Sequence, residues 1–206
     1  MCLVAVSKTY PADNIRTVAT QGQRDFGENQ IQDAMTKIPV LEDLSCSWHF
    51  IGPIQSNKCR DIALHFDWVH SVDRAKVARR LSDLRPANTK PINIFIQINL
   101  QNEATKSGVL PEELGALVDE VKNLPNLNLC GLMAIPAPET LFDRQRATFA
   151  TLRELLQTTN REHQTNMDCL SMGMTDDLEA AVAEGATHVR VGTAIFGPRQ
   201  KPAGNP

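Results

Sequence analysis

The amino-acid sequence predicts an α/β chain folded as a single (β/α)8 TIM-type barrel, and three observations carry that reading. Short apolar runs alternate with longer amphipathic ones, the signature of βα units around a parallel sheet. Eight of the short runs qualify as strands. Glycine-bearing turns follow the last two of them, where barrels of this kind gather phosphate groups. No repeat, low-complexity tract or linker divides the 206 residues, so 1–206 reads as one domain with 198–206 as an irregular tail.

In chain order, the first strand is 3–7 (LVAVS), ended by Lys8, and Pro11 opens a helix over 12–21. Proline is favoured there because its missing N–H is unpaired in a first turn anyway. Strand 24–26 leads to a helix over 28–38, strand 47–51 (SWHFI) to a helix over 56–64, and strand 67–70 to a helix over 73–84. Strand 92–98 (INIFIQI) is followed by a proline-initiated helix over 111–123, and strand 128–133 by a helix over 139–158. In that last helix Phe142, Phe149, Leu152, Leu155 and Leu156 recur at helical spacing, as barrel packing requires. Strand 168–171 precedes a helix over 176–184, for which Thr175 is the expected N-cap with acidic residues in the first turn. Strand 187–191 comes last. The prolines of GTAIFGPRQKPAGNP then preclude a helix of any length, so the count is seven.

Composition narrows the function. Twenty-one Lys and Arg against 24 Asp and Glu give a net charge of −3, without the basic cluster that nucleic acid demands. Five cysteines lie far apart with no C-x-x-C pair, which suits free thiols in a reducing compartment rather than disulfides or zinc. No apolar stretch approaches membrane length and no targeting segment precedes the first strand, so the expectation is a cytoplasmic protein. His65, His163 and His188 lack metal-ligand spacing. His49 and His70, read as ending strands three and four, suit structural hydrogen bonding better than catalysis.

The candidate site lies at the carboxyl ends of the strands. Gly173, in LSMGMTDD, allows close backbone approach beside helix-start N–H groups that suit an anion. Gly192 and Thr193 lie just past strand eight, and a closed barrel sets that strand beside strand one and Lys8. A lysine next to a phosphate cradle is the arrangement that holds an aldehyde-bearing phosphate cofactor as a Schiff base. Arg190, two residues before Gly192, shares its facing, and its fixed charge favours a neutral lysine amine. A phosphorylated metabolite bound without a covalent bond fits the same residues.

The motifs VAVSKT (4–9), FGENQIQ (26–32), WHFIGPIQSNK (48–58), SVD (71–73), GLMAI (131–135), LSMGMTDDLEAAVAEG (170–185) and VRVGTAIFG (189–197) together resemble the pyridoxal phosphate homeostasis protein family. Its members are similar to the barrel domain of alanine racemase, called fold type III. The resemblance implies pyridoxal 5′-phosphate as cofactor, with Lys8 forming the Schiff base and Ser171, Gly192 and Thr193 holding the phosphate. It also implies Arg190 facing the pyridine nitrogen, Asn29 near the ring, and Met172 and Gly173 shaping the cradle. An arginine donor leaves the pyridine nitrogen unprotonated, a poorer electron sink. Racemases of this fold add a tyrosine base from a second domain, whereas the one tyrosine here, Tyr10, lies on the lysine side. The implied function is therefore intracellular vitamin B6 homeostasis and cofactor supply, with no catalytic residue. Apo-enzymes are the implied recipients, and a monomer or weak homodimer is expected. A slow amino-acid racemase is the alternative. Family members usually carry a helix before the lysine strand, so the expectation here is an uncovered seam between strands eight and one, with lower stability.

Overall fold

The computed structural model describes residues 1–103 and 105–198; the tail expected over 198–206 falls, from residue 199 onward, outside the described residues. Each of the eight apolar runs forms a strand: β1 (Cys2–Val6), β2 (Asp25–Glu28), β3 (Ser47–Phe50), β4 (Trp68–Val72), β5 (Ile92–Ile98), β6 (Leu127–Ala134), β7 (Cys169–Ser171) and β8 (His188–Val191). They pair in sequence order, all parallel, and β8 returns to β1 to close the barrel. The closing register sets Cys2 against His188, Leu3 against Val189, Val4 against Arg190 and Ala5 against Val191.

The helices are α1 (Ala12–Thr20), α2 (Ile31–Lys37), α3 (Cys59–His65), α4 (Ala75–Leu84), α5 (Leu114–Val121), α6 (Phe142–His163), α7 (Leu178–Ala183) and α8 (Thr193–Phe196). Their apolar stripes meet the outward faces of the strands in one continuous core. α4 buries Val77, Ala78 and Leu81, and α6 buries Phe149, Leu152 and Leu156, the one-sided spacing of a helix laid on a sheet. Phe142, expected in that stripe, opens α6 with its ring exposed and Arg146 over its face at 5.9 Å.

Several elements depart from expectation, among them α6, which runs to His163 rather than ending at 158. The segment expected to be helical from residue 28 begins as strand, and α2 runs on into a 3₁₀ turn over Ile38–Leu44. α7 starts at Leu178 with Asp177 as its N-cap, so Thr175 lies exposed in the preceding turn. A helix also follows β8: four residues fit one turn between Gly192 and Gly197 before the prolines intervene. That turn ties the carboxyl ends of the seam strands together but does not cover the seam, where Leu3 of β1 stays exposed as expected. Phe196 stacks on Tyr10 with ring centroids 4.9 Å apart, and the Tyr10 hydroxyl donates to the Gly197 carbonyl at 2.5 Å.

Inward-facing rings fill the middle of the barrel. His49, Trp68, His70, Phe95 and His188 lie in mutual contact, with His70 and Phe95 4.5 Å apart and Trp68 and His188 4.8 Å apart. His70 is not at a strand end, because β4 continues through Ser71 and Val72; it sits mid-strand and fully buried. Burial disfavours the imidazolium form. It lowers the pKa of His49, lowers that of His70 well below the ordinary value, and brings His188 down to about 4.

These groups bind fewer protons folded than unfolded between their folded values and the ordinary histidine value of 6.5. Their stabilisation is therefore complete above that value and lost as the pH falls below it. Urea denaturation at a series of pH values is expected to show the unfolding free energy falling from pH 6.5 toward 4, by up to about 1.4 kcal/mol per pH unit for each histidine. His188→Gln should remove about one proton from that slope. An unchanged slope in the variant would mean that His188 charges within the folded barrel.

Candidate functional site

Lys8 lies two residues beyond β1, half-buried, in the turn Ser7–Tyr10, which is closed by the Tyr10 N–H donating to the Ser7 carbonyl at 3.1 Å. Thr9 takes the left-handed conformation there, at φ 71°. For a β-branched residue that backbone costs on the order of 1–3 kcal/mol and persists only where the surroundings impose it. The surroundings are a buried ionic network. Asp33 accepts the Thr9 N–H at 3.1 Å. Lys37 Nζ donates to the Ser7 carbonyl at 3.0 Å, to Glu28 Oε1 at 2.9 Å and to Asp33 Oδ2 at 2.8 Å. Ser7 Oγ donates to Glu28 Oε1 at 2.6 Å. Burial raises the Glu28 pKa while Ser7 and Lys37 oppose the rise, and its second oxygen has no hydrogen-bond partner among the described residues.

Sequence reasoning missed Glu28, Asp33 and Lys37. Glu28 stands inside FGENQIQ, and Asp33 and Lys37 have the i,i+4 spacing of a helical ion pair, but an ordinary surface pair looks the same.

The strand register seats Lys8 in the barrel mouth. Val6 pairs with Gly27 and the Ser7 N–H donates to the Gly27 carbonyl at 2.9 Å, so the turn that carries Lys8 leaves the sheet at the carboxyl end of β2, just before Asn29. On the other side, Ala5 pairs with Val191, which brings Gly192 beside Val6. A Cβ at Gly192 would lie 3.3 Å from the Val6 carbonyl oxygen, so the close approach of these chain segments favours glycine. Thr193, the first residue of α8, is exposed.

Arg190 points inward and is almost wholly buried. Its Nη1 donates to Ser171 Oγ at 2.6 Å and its Nη2 to the Ala134 carbonyl at 3.0 Å. Burial lowers its pKa to about 10, which leaves it cationic at neutral pH. Ser171 Oγ also lies 2.7 Å from His70 Nδ1. Asn29 lines a cavity of about 290 Å³ together with Gln55 and Lys58, between the segments that follow β2 and β3.

The turn after β7 differs from the anion cradle expected there. Gly173 has φ 92°, and its carbonyl accepts the Arg190 N–H at 2.9 Å. The Met174 N–H already has an acceptor, the Asp177 carboxylate, at 2.6 Å. At the opposite end of the barrel the fold gathers Cys2, Asp25 and His49, with one ligand-type atom from each within 4.8 Å of the others, a grouping no sequence spacing announced. The trio is satisfied internally. The Cys2 thiol, raised to about 12 chiefly by burial, bonds to Asp25, and His49 Nε2 lies 3.0 Å from the same carboxylate.

Residues 1–200 match the family profile "Alanine racemase, N-terminal domain". The pyridoxal phosphate homeostasis protein of Pseudomonas aeruginosa is 58% identical over 96% of this chain and 84% of its own length, and that of Escherichia coli is 49% identical over 96% and 85%. The chain belongs to the pyridoxal phosphate homeostasis protein family. Among solved structures similar to this member of the family is PipY of Synechococcus elongatus with pyridoxal phosphate bound. It is 38% identical, with a TM-score of 0.87 over 95% of this chain and 92% of that one. An alanine racemase of Clostridium difficile, at 13% identity and a TM-score of 0.73 over 98% and 53% of the two chains, shares the fold with the family.

The Lys37–Glu28 pair is nearly solvent-free. Lys37→Met leaves a buried carboxylate without its cation, and chemical denaturation is expected to show a loss of about 3–5 kcal/mol. Lys37→Met with Glu28→Gln should recover most of it. If the single variant were as stable as the parent, the network would not be what holds the Lys8 turn.

Proposed function

We propose that this protein binds pyridoxal 5′-phosphate in the barrel mouth and serves intracellular vitamin B6 homeostasis as a carrier and supplier of the cofactor. The observation that supports this reading is the β8–β1–β2 register, which brings the end of β1, two residues before Lys8, beside Gly27 of β2 and Gly192 after β8, in a barrel whose inward cation is Arg190. The similarity to PipY, solved with pyridoxal phosphate bound, supports it.

Lys8 supplies the amine that condenses with the cofactor aldehyde, forming a C=N bond and releasing water. The nearby guanidinium favours the neutral, nucleophilic amine. Gly192 and Thr193 offer backbone N–H groups to the phosphate, and Ser171 stands in the same wall. Asn29 flanks the ring, and Arg190 presents its remaining N–H groups to the pyridine nitrogen.

The bound cofactor supplies an electron sink for carbanions, but a ring nitrogen that accepts from a guanidinium is unprotonated, and the sink is weak. A racemase also needs a base on the face away from the lysine. Tyr10 is engaged elsewhere, donating to Gly197. The arrangement supports retention over turnover. Apo forms of pyridoxal phosphate enzymes are the recipients in this reading, and the carrier is a cytoplasmic monomer or weak homodimer. Among the described residues no helix is long and apolar enough to cross a membrane.

The purified protein with added cofactor should develop an absorbance band near the visible edge, removed by borohydride with covalent retention of the cofactor. Lys8→Ala should show neither. Solvent deuterium exchange at the α-carbon of L-alanine should stay far below enzymatic rates; ordinary turnover would establish the racemase instead.

A further inference from the structure

Ser171 and Arg190 belong to a longer construction. From Arg190 a line of hydrogen bonds descends through the barrel: Arg190 Nη1 to Ser171 Oγ at 2.6 Å, Ser171 Oγ to His70 Nδ1 at 2.7 Å, His70 Nε2 to His49 Nδ1 at 2.9 Å, and His49 Nε2 to Asp25 Oδ1 at 3.0 Å. It begins on β8, passes through β7, β4 and β3, and ends at the first residue of β2, at the amino-terminal end of the barrel. Ser171, His70 and His49 have no solvent exposure, Arg190 is 4% exposed, and only the Asp25 side chain reaches water, at 33%.

The chemistry of its two ends gives this line a direction. A guanidinium has hydrogens and no acceptor; an ionised carboxylate has acceptors and no hydrogen. The His49 hydrogen bond keeps the Asp25 pKa low, and burial keeps both imidazoles neutral. A neutral imidazole has one N–H and one bare nitrogen. Three movable hydrogens, on Ser171, His70 and His49, must then occupy the three bonds below Arg190. Only one arrangement places a hydrogen in each. His49 donates to Asp25, His70 donates to His49, and Ser171 donates to His70.

We propose that Asp25, His49 and His70 are positioning residues of the ligand pocket, turning the Ser171 hydroxyl hydrogen away from the mouth so that Ser171 serves as the acceptor that anchors Arg190 and not as a donor to the ligand's phosphate. The role at the mouth rests on the reading of the pocket as a pyridoxal phosphate site. The direction of the line is a property of the protein alone. Reversing it requires a hydrogen on the Asp25 side, and only then does Ser171 have one to spare. A carboxylate at one end of the barrel thus sets how many donors the pocket offers at the other.

Two measurements test this. In ligand-free protein with ring-¹⁵N histidine, two-bond ¹⁵N–¹H spectra should place the hydrogen of both His49 and His70 on Nε2. Asp25→Ala removes the acceptor end, lets both directions form, and should draw the two His70 nitrogen signals toward one another, although residue 25 does not touch His70. Asp25→Asn, whose amide oxygen still accepts, should restore the parent pattern. A His70 hydrogen on Nδ1 in the parent, or a His70 signal indifferent to Asp25→Ala, overturns the proposal. With ligand, Ser171→Ala should weaken pyridoxal and pyridoxal 5′-phosphate by the same factor, about tenfold to a hundredfold, as expected for losing a bond to a charged donor. A loss confined to the phosphorylated ligand would make Ser171 a phosphate donor and overturn it as well. If the parent bound neither ligand, the carrier reading would fail, while the tautomer spectra would still decide the direction of the line.

Discussion

Everything at the mouth depends on the pairing of β8 with β1. Residues near opposite ends of the chain become neighbours through backbone register alone, with Val4 beside Arg190 and Ala5 beside Val191. That register also brings Gly192 beside Val6, two residues before Lys8. The closure is fastened above and below. The Cys2 N–H donates to the Thr187 carbonyl at 2.7 Å at the start of the strands, and the Tyr10–Phe196 stack binds the turn after β1 to the turn after β8. The same rings that close the seam therefore hold the Lys8 turn and α8 against each other.

Given that closure, the interior has to accommodate polar groups. Barrels of this architecture usually fill their centre with branched aliphatic layers. Here three histidines and two other aromatic rings take that space, crossed by a hydrogen-bonded line with a cation at one end and a carboxylate at the other. Buried polar groups are costly when partly satisfied and rigidifying when fully satisfied. In this line each imidazole nitrogen has a partner, so the polar interior fixes side-chain positions instead of loosening them. The Glu28–Lys37 network, in which one Glu28 oxygen lacks a partner among the described residues, holds the other flank of the mouth through Lys37 and Asp33, where it imposes a left-handed Thr9 that the sequence would not choose by itself.

The fold was legible because its signal is local and repeated. Runs such as INIFIQI and the helical stripe of Phe149, Leu152 and Leu156 declare strand and helix from their own period. Lys8, Arg190 and Gly192 were legible for a different reason: strand-end position plus the rule that strand eight meets strand one. What stayed hidden depends on contacts between elements. Nothing near Asp25 in the sequence points to His49, 24 residues away, or onward to His70 and Ser171. Thr175 looked like a cap because its neighbours are acidic, but Asp177 stands closer to the first turn and captures Met174 N–H instead. The one-turn α8 was masked by the prolines behind it, although four residues between Gly192 and Gly197 suffice for a turn.

The two buried networks grip different halves of the pocket and share no residue. One ends on the backbone of the Lys8 turn, the other on the Arg190 guanidinium. The proposed binding mode, with the ligand bonded at Lys8 and its ring nitrogen held by Arg190, needs those edges fixed relative to each other, and the β1–β8 pairing fixes the strands that carry them. Pre-organisation of this kind lowers the cost of binding, because the ordering is already complete before the ligand arrives. It does little for a reaction that must move protons on both faces of a carbanion. In the proposed binding mode such a site holds a cofactor rather than consuming a substrate, and an Arg190 donor at the ring nitrogen, which makes the ring a weak electron sink, acts in the same direction.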